Sequence, residues 1–340
     1  MDESRQPGAL DRSSGMTLVL PSPIRSLGRA VLHLWQWFYD YSRAKLREYG
    51  DRRRILRGKV LVAEDVYGTR FVLYPWDRPN IHSLVRHPYD VAEFQAIRQL
   101  VKGGDVAFDV GANLGIYSVL LSRLCGPTGS VWAFEPVPDT YWRLRETLAL
   151  NRCENVTAVQ SAICEKSGTV QMNLFEPQFA EWNTLGMPSM KAPDGTFIRP
   201  SESVSVRART LDEFCDEERI ERINFLKVDV EGFEAAVFQG AGRLLKDQRV
   251  DFICFEISKD PLKGAGIESR KVFEALEMYG YTAYRFDRTS GGFRGPVNDT
   301  TESWTNFFAS CKDLSVIGET ACSPLTTQIP QEKRVVGNIG

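Results

Sequence analysis

The sequence has few of the residues that build disulfide or zinc frameworks. It contains seven cysteines and three histidines among 340 residues, and no two cysteines are spaced as Cys-x-x-Cys. An odd number of scattered cysteines argues against a disulfide framework, and so few histidines argue against a zinc site. Cys254 stands inside an apolar run, where a cysteine behaves as a small hydrophobe. We therefore expect a reducing compartment and no metal ligands.

Long apolar runs and an excess of one charge are also missing. No stretch approaches the roughly 20 apolar residues that cross a bilayer, and the polar residues 1–15 do not resemble a secretory signal. These features predict a cytoplasmic protein. The 42 lysines and arginines nearly balance the 44 aspartates and glutamates, whereas binding to nucleic acid needs concentrated positive charge. We therefore expect no nucleic-acid partner.

Composition and periodicity divide the chain into five segments. We expect a flexible N-terminus, an amphipathic helical extension, a β-hairpin subdomain, a main domain and a flexible tail, at residues 1–23, 24–57, 58–88, 89–311 and 312–340. Apolar residues recur at helical spacing within residues 24–49, and several arginines occupy the other face. That apolar stripe could pack on the main domain, on a second copy in a homo-oligomer, or on an anionic membrane surface.

Strand and helix patterns alternate through the main domain. Short apolar runs typical of buried strands occur at residues 106–110, 130–134, 156–162, 220–228, 250–256, 282–286 and 306–310. Helical patterns follow most of them, at residues 114–125, 139–151, 233–246 and 269–279. Strands separated by helices indicate a mostly parallel sheet that is covered on both faces. The expected fold class is therefore a Rossmann-like, doubly wound α/β fold.

A ligand cradle is predicted where the first of these strands turns into a helix. The segment runs from Asp109 to Gly115, and glycine at position 111 permits a tight turn and a close approach to a ligand. Gly115 would let the helix start pack tightly on the sheet, and the N–H groups there suit a carboxylate. Glu135 ends the next strand, where doubly wound folds hold a ribose diol.

The residues of this cradle favour S-adenosylmethionine over a dinucleotide. Dinucleotide sites prefer Gly-x-Gly-x-x-Gly, because the second glycine admits the pyrophosphate. Here Asn113 takes that place, and the carboxylate of Asp109 before the turn would repel a pyrophosphate. A cofactor with a cationic sulfonium and an amino acid end fits better. A nicotinamide-type oxidoreductase is the alternative, and a non-catalytic protein that binds the same cofactor is another.

Taken together, the motifs resemble those of the FkbM family of methyltransferases. They are Asp109-Val-Gly-Ala-Asn-Leu-Gly-Ile-Tyr-Ser118, Phe134-Glu-Pro136, Thr210-Leu-Asp212, Leu226-Lys-Val-Asp-Val-Glu-Gly-Phe-Glu234 and Gly240-Ala241. The resemblance covers residues 58–310. It implies a class I methyltransferase fold with a seven-stranded sheet whose last strand is antiparallel. It also implies S-adenosylmethionine as methyl donor and an oxygen acceptor on a sugar, glycan, macrolide or similar small molecule.

The resemblance further implies which residues hold the donor. The methionine end would be lined by Asp109, Gly111, Asn113 and Gly115. Glu135 would hold the ribose hydroxyls, and the adenine would lie beside Ser161 and Ala162. Residues 176–203 are too irregular for any alignment, and they are interpreted either as a lid over the acceptor or as a disordered insertion.

Acidic residues at the fourth and fifth strands suggest the chemistry. Asp229 ends one buried strand, Glu231 and Glu234 follow it, and Glu256 ends the neighbouring strand. Capping of the following helix explains Glu231 and Glu234 about as well as a role in the reaction does. It explains Asp229 poorly. We expect Asp229 to orient or deprotonate an acceptor hydroxyl, assisted by Glu231 or Glu256. A divalent cation held by two or three of these carboxylates is possible but not expected.

The sequence therefore predicts a methyltransferase that acts on a hydroxylated small molecule. The pocket for that acceptor is built from loops, so the residues do not specify which molecule it is.

Overall fold

The computed structural model describes residues 61–74, 77, 89–175, 183–186 and 198–317. The expected flexible N-terminus, the helical extension with its subunit or membrane contact, and most of the tail lie outside these residues. Most of the expected lid at 176–203 lies outside them as well. No helix among the described residues is long and apolar enough to cross a membrane.

The described chain alternates strands with helices, as the sequence predicts. The strands β1 to β13 are Leu61–Glu64, Arg70–Leu73, Val106–Val110, Ser130–Phe134, Val156–Val159, Ala162–Ile163, Gly168–Leu174, Glu202–Arg209, Ile223–Val228, Val250–Ser258, Thr282–Asp287, Gly292–Val297 and Trp304–Ser310. The helices α1 to α8 are Val91–Leu100, Ile116–Cys125, Pro138–Leu150, Leu211–Glu217, Glu234–Gln239, Gly242–Lys246, Lys259–Ala265 and Ser269–Glu277. A short 3-10 helix, Leu314–Val316, follows β13.

The main sheet confirms the predicted fold class. Its strand order is β12-β11-β13-β10-β9-β3-β4-β5. Neighbours from β10 to β5 pair in parallel, and β13 is antiparallel to both β10 and β11. This is the doubly wound class I methyltransferase arrangement, with its antiparallel strand inserted next to β10. The carboxyl ends of β3, β4, β9 and β10 consequently meet at one edge of the sheet.

The sheet has eight strands, one more than the seven expected. The extra strand is β12, at the edge, where it pairs antiparallel with β11. Its sequence, Gly-Phe-Arg-Gly-Pro-Val, reads poorly as a strand, because glycine weakens strands and proline lacks an N–H donor. An edge strand tolerates such a proline, since only one side of it must be paired.

One predicted helix is divided in the structure, and two helices, α4 and α7, have no counterpart in the prediction. The single helix expected at 233–246 is two helices, α5 and α6, with Gly240 and Ala241 between them. Gly240 lies so close to another segment that a Cβ there would be 2.0 Å from the carbonyl oxygen of Cys164. The helix α4 was not predicted, although Thr210 caps it by accepting a hydrogen bond from the N–H of Glu213 at 3.1 Å.

Smaller sheets flank the main one. The expected hairpin is present, with β1 and β2 paired antiparallel. The β-rich stretch after β5 forms a three-stranded sheet in the order β6-β8-β7. A single bridge joins Asn173 of β7 to Thr184. This bridge brings part of the 176–203 segment beside the carboxyl edge of the main sheet, because the Thr184 hydroxyl donates to the Glu231 carbonyl at 2.8 Å.

Helices bury both faces of the main sheet. One hydrophobic cluster joins α1 and α2 to the sheet, and another joins α4, α5, α6 and α8 to its opposite face. Phe214 of α4 lies at the centre of the second cluster, with ring centroids of Phe134, Trp132 and Phe108 at 4.8, 5.1 and 5.8 Å. The helix that the sequence pattern missed therefore completes the core beneath β3 and β4.

Replacing Phe214 by alanine should destabilise the protein strongly. The substitution removes the edge-to-face contacts of the Phe214 ring with its three aromatic neighbours and leaves a cavity in a fully buried cluster. Such a change typically costs about 3–5 kcal/mol. Urea unfolding followed by circular dichroism measures the free energy of unfolding. The exposed Met278 offers a control, since Met278→Ala should change that free energy by no more than about 0.5 kcal/mol. Equal effects of the two substitutions would contradict the packing described.

Candidate active site

A cavity of about 300 Å³ opens at the carboxyl edge of the parallel strands. The sheet order divides its lining into two ends on either side of β3. On the β4 and β5 side the predicted donor residues are Glu135, Ser161 and Ala162, and on the β9 and β10 side the predicted acids are Asp229, Glu231 and Glu256. Gly111 and Asn113 line it between the two ends. Eight of the predicted site residues thus face one cavity.

The Gly111 turn is held by the neighbouring strands. Gly111 has a φ of 83°, and the N–H groups of Gly111 and Ala112 donate to the Phe134 carbonyl at 3.0 and 2.9 Å. A Cβ at Gly111 would lie 1.8 Å from the carbonyl oxygen of Asp229. The close approach that the structure shows at Gly111 is to the protein's own backbone, and Gly111 also lines the cavity, so its approach to a ligand stays a prediction. Glycine at this position lets β3 and β9 end side by side.

The carboxylate of Glu135 accepts a hydrogen bond from a backbone N–H group of the glycine turn. Its Oε2 accepts from the N–H of Asn113 at 3.1 Å, and its Oε1 accepts from the N–H of Val137 at 2.9 Å. The residue is only 6% exposed, and burial raises the pKa of its carboxyl to about 7. The N–H of Asn113 in the glycine turn therefore donates to the carboxylate of Glu135. Each oxygen keeps a second lone pair that can accept from a hydroxyl.

Asp109 and Gly115 stand behind the cavity wall and do not line it. Asp109 is fully buried, and its Oδ2 accepts from the Ser118 hydroxyl at 2.6 Å. Its Oδ1 has no hydrogen-bond partner among the residues that the structure describes. Gly115 begins α2, where a Cβ would lie 2.7 Å from Leu144 of α3. It thus packs on a helix and not on the sheet as expected, and both residues shape the turn from behind.

A buried lysine joins the turn to the acidic end. Lys227 of β9 is 2% exposed, its Nζ donates to Asp229 Oδ2 at 2.8 Å, and it lies 4.2 Å from the centroid of the Tyr117 ring. In the strand register it stands directly opposite Asp109. Burial lowers the pKa of Lys227, but the attraction of Asp229 and Asp109 outweighs burial and holds the pKa above its usual value.

Lys227 and Tyr117 belong to the sequence motifs, but the sequence analysis gives neither of them a role in the site. Tyr117 donates to Asp90 Oδ2 at 2.8 Å, so α1, α2 and β9 meet around the ammonium group. A signal was present, because a lysine inside the apolar run of β9 must find a charged partner if the strand is buried. The partners themselves come from distant parts of the chain, and only the folded sheet brings them together.

The acids at the other end form a close group. One carboxylate oxygen from each of Asp229, Glu231 and Glu256 lies within 4.8 Å of the others. Glu256 lies within β10 and not at its end, and it is 8% exposed. Burial, followed by the charges of Asp229 and Glu231, raises its pKa well above the usual value. Asp229 is more open than Glu256, because 28% of its side chain is exposed.

Glu234 serves the turn and does not line the cavity. It is fully buried at the start of α5, and its Oε1 accepts from the N–H of Gly232 at 3.1 Å. Burial raises the pKa of its carboxyl to about 7. Capping of the helix start therefore accounts for Glu234, whereas Glu231 faces the cavity.

Comparison with known proteins places this site in a family. Residues 109–283 match the Methyltransferase FkbM domain, which is more than half of the chain. The chain belongs to the FkbM methyltransferase family. The matched stretch contains every predicted site residue, from Asp109 to Glu256.

Three known proteins are similar to the chain in sequence. Methyltransferase 1 of Beauveria bassiana is 30% identical over 48% of this chain and 65% of its own length. Hexuronic acid methyltransferase AglP of Haloferax volcanii is 31% identical over 51% of this chain and 61% of its own length. The 2-O-methyltransferase NoeI of Sinorhizobium fredii is 26% identical over 54% of this chain and 76% of its own length. The chain spans less than two thirds of the first two relatives.

Removing the buried cation should destabilise the protein. In Lys227→Met the chain keeps the volume of the side chain but leaves the carboxylate of Asp109 buried without its counter-charge. Breaking a buried pair in this way costs about 3–5 kcal/mol. Urea unfolding measures the loss, and Lys246→Met, at an exposed position, is the matched control. A loss for Lys227→Met no larger than that of the control would contradict the interpretation.

Stability should fall as pH rises from about 4.5 to 7. Glu135 and Glu234 have pKa values raised to about 7 in the folded protein, against an ordinary 4.5. A raised pKa means that the folded state binds the extra proton, so its contribution is complete below 4.5 and is lost as pH rises through 7. Each group contributes up to about 3 kcal/mol, by the energy equivalent of one pKa unit.

Glu234→Gln tests this pH dependence, because the amide is always neutral and keeps an acceptor for the N–H of Gly232. The slope of unfolding free energy against pH between 4.5 and 7 should become shallower, whereas the exposed Glu218→Gln should leave the slope as it was. An unchanged slope in the Glu234 variant would contradict the assignment.

Proposed function

We propose that the chain is an S-adenosylmethionine-dependent O-methyltransferase that acts on a hydroxyl of a sugar, glycan or polyketide-like small molecule. The observation that carries the proposal is one cavity in a member of the FkbM methyltransferase family, with Glu135 at one end and three carboxylates at the other. The two ends match the two things that a methyl transfer brings together, a nucleoside donor and a hydroxyl that must lose its proton.

The residues on the Glu135 side fit the nucleoside of the donor. The carboxylate of Glu135 is fixed by two backbone N–H groups and can accept from both ribose hydroxyls. The Ser161 hydroxyl lies 3.0 and 3.2 Å from the carbonyl oxygens of Ala162 and Arg207 and shares its one hydrogen between them, which fixes the wall where the adenine would lie. When bound, S-adenosylmethionine would supply a methyl group on a cationic sulfur.

The acidic side fits the acceptor. Lys227 fixes one oxygen of Asp229, while part of that carboxylate stays open to the cavity. Asp229 would orient the acceptor hydroxyl in line with the methyl group and take up its proton. Alignment of reacting groups is worth up to about 7–11 kcal/mol in well-oriented systems. Glu231 and Glu256 would assist at the same end.

A carbohydrate acceptor is supported by an aromatic side chain beside these acids. Trp304 lines the cavity and is 52% exposed. An exposed aromatic face next to carboxylates suits a ring with an apolar side and hydroxyl groups, since the indole buries apolar area and the carboxylates accept hydrogen bonds. Two relatives are named for hexuronic acid methylation and for 2-O-methylation, which fits the same class of acceptor.

Calorimetric titration tests the donor. The protein should bind S-adenosylhomocysteine and show no comparable affinity for NAD. Glu135→Ala should weaken binding of S-adenosylhomocysteine at least about tenfold, because a bidentate contact to two hydroxyls is lost. Glu146→Gln, on the outward side of α3, should leave it unchanged. Absence of binding, or preference for NAD, would overturn the proposed function.

Asp229→Asn separates catalysis from donor binding. Loss of a general base reduces turnover by about 100-fold or more, while the affinity for S-adenosylhomocysteine should stay within about twofold. Asp260→Asn is a control, because Asp260 is exposed at the start of α7 and outside the cavity lining. Methyl transfer is measured against a panel of hydroxylated glycans and polyketides. Unchanged turnover in the Asp229 variant would remove that residue from the reaction.

A further inference from the structure

Residues 183–186 form a strap between β7 and the turn that follows β9. Thr184 and Asn173 of β7 make an antiparallel bridge, in which each backbone N–H donates to the other residue's carbonyl, at 2.9 and 3.2 Å. The Thr184 hydroxyl donates to the carbonyl of Glu231 at 2.8 Å. The side-chain amide of Asn173 donates to the carbonyl of Gly186 at 2.7 Å. The strap is therefore held both to the three-stranded sheet and to the acidic end of the cavity.

One face of the strap lines the cavity. Successive side chains of an extended segment point to opposite sides, and the Thr184 side chain points to the turn after β9. Asn183 and Leu185 therefore share the other side, and both line the cavity. Met172 of β7 lines it as well, and Leu185 packs against the hydrophobic cluster that contains Met172. The strap and β7 thus form one wall of the cavity.

The side-chain amide of Asn183 has a fixed direction. Its Oδ1 accepts from the backbone N–H of Phe175 at 3.0 Å. A backbone N–H can only donate, so the oxygen of the amide, and not the nitrogen, must face Phe175. The Nδ2 group carries two hydrogens and donates to no acceptor in the described part of the chain. Asn183 therefore has hydrogen-bond donors left for a ligand, whereas the nearby carboxylates accept hydrogen bonds.

The strap lies away from the wall predicted for the adenine. Strand β8 relates the two places, because Ala208 pairs with Ala162 on one side and with Gly168 on the other. Thr184 stands opposite Asn173, which is five positions further along β7 than Gly168. Five residues of a strand span up to about 17 Å. The strap is therefore placed to contact the methyl acceptor at the acidic end.

We propose that the strap selects the methyl acceptor, with Asn183 donating a hydrogen bond to a second oxygen of that molecule and Leu185 packing on its apolar side. The inference rests on the proposed function, because Asp229 is taken to act on the hydroxyl that is methylated. The acceptor then needs a second oxygen close to that hydroxyl. Sugars and glycans carry such pairs of oxygens on adjacent carbons, whereas an isolated hydroxyl of a polyketide has no such neighbour. The proposal narrows the acceptor to polyols of the sugar type.

Thr184 is a positioning residue for this contact. Its hydroxyl donates to the carbonyl of Glu231 and accepts from the N–H of Gly186 at 3.2 Å. These bonds hold the wall that carries Asn183 at a fixed place relative to the acids. Thr184→Val keeps the shape and loses both bonds, so the acceptor KM should rise at least about fivefold. Thr184→Ser keeps the hydroxyl and should restore the KM, and an equal KM in the two variants would overturn this role.

Acceptor analogues test the substrate class. Methyl transfer is measured with methyl pyranosides of the common hexoses, with their monodeoxy derivatives, and with cyclohexanol, which has one isolated hydroxyl. A pyranoside should be methylated. A derivative that lacks an oxygen adjacent to the methylated one should react with a kcat/KM at least about tenfold lower, because the amide of Asn183 is left unpaired. Equal transfer to cyclohexanol, or no transfer to any pyranoside, would overturn the proposal.

Asn183→Asp isolates the donor group. Aspartate keeps an oxygen for the N–H of Phe175 but has no N–H of its own, so kcat/KM for the pyranoside should fall at least about tenfold. Affinity for S-adenosylhomocysteine should be unchanged, and the deoxy derivative that lacks the second oxygen should lose nothing further. Asn183→Ala is the second variant, and circular dichroism shows that both are folded. Asn298→Asp adds the same charge at an exposed position outside the cavity lining and should behave as the wild type does.

The strap and the methyl transfer can fail separately. An equal loss for the pyranoside and its deoxy derivative, or weakened binding of S-adenosylhomocysteine in Asn183→Asp, would overturn the role of the strap. Transfer to pyranosides at the wild-type rate in that variant would do the same and leave the methyltransferase function intact. If S-adenosylhomocysteine does not bind to the wild type, the proposed function fails, and the inference fails with it.

Discussion

The ion pair between Lys227 and Asp229 is the interaction on which the arrangement of the cavity depends. The ammonium group is buried inside the sheet, so it must be compensated, and Asp229 and Asp109 compensate it from two adjacent strands. This requirement fixes the ends of β3 and β9 relative to each other. It also determines which oxygen of Asp229 is held and leaves the rest of that carboxylate for the cavity. The buried charge of Lys227 therefore holds the two strand ends together and also positions the carboxylate of Asp229.

The glycine turn adds a second constraint at the same place. Because Gly111 has no side chain, the backbone of Asp229 can lie against it. The same turn places the N–H of Asn113 at Glu135, so the donor end and the acidic end are positioned by one short segment. A displacement of that segment would move both ends of the cavity together.

Much of this arrangement could be predicted because it follows from local pattern. Buried parallel strands are continuous apolar runs, and the polar residues that end them must meet at one edge. Asp229 and Glu135, which follow two of these strands, both line the cavity at that edge. The doubly wound order of the sheet follows from the alternation of strands with helices, and the order found agrees with it.

The rest depended on contacts between distant segments. The neighbour of Gly111 is backbone from a residue more than a hundred positions away, and no local pattern shows it. Asp109 looks like a ligand contact in the sequence, yet the pairing of β3 with β9 turns it toward Lys227 and the interior. The edge strand β12 was missed because its glycines and proline hide it. The spacing of Glu256 from Asp229 is set by strand register, which the sequence does not state.

The chemistry proposed here requires the donor to lie along the cavity in one direction. Glu135 would hold the ribose, and the sulfur would then face the acids at the other end. A crystal structure with S-adenosylhomocysteine tests this most directly. We expect both ribose hydroxyls within hydrogen-bond distance of the Glu135 carboxylate and the sulfur on the Asp229 side. A ligand bound in the opposite direction, or outside this cavity, would contradict it.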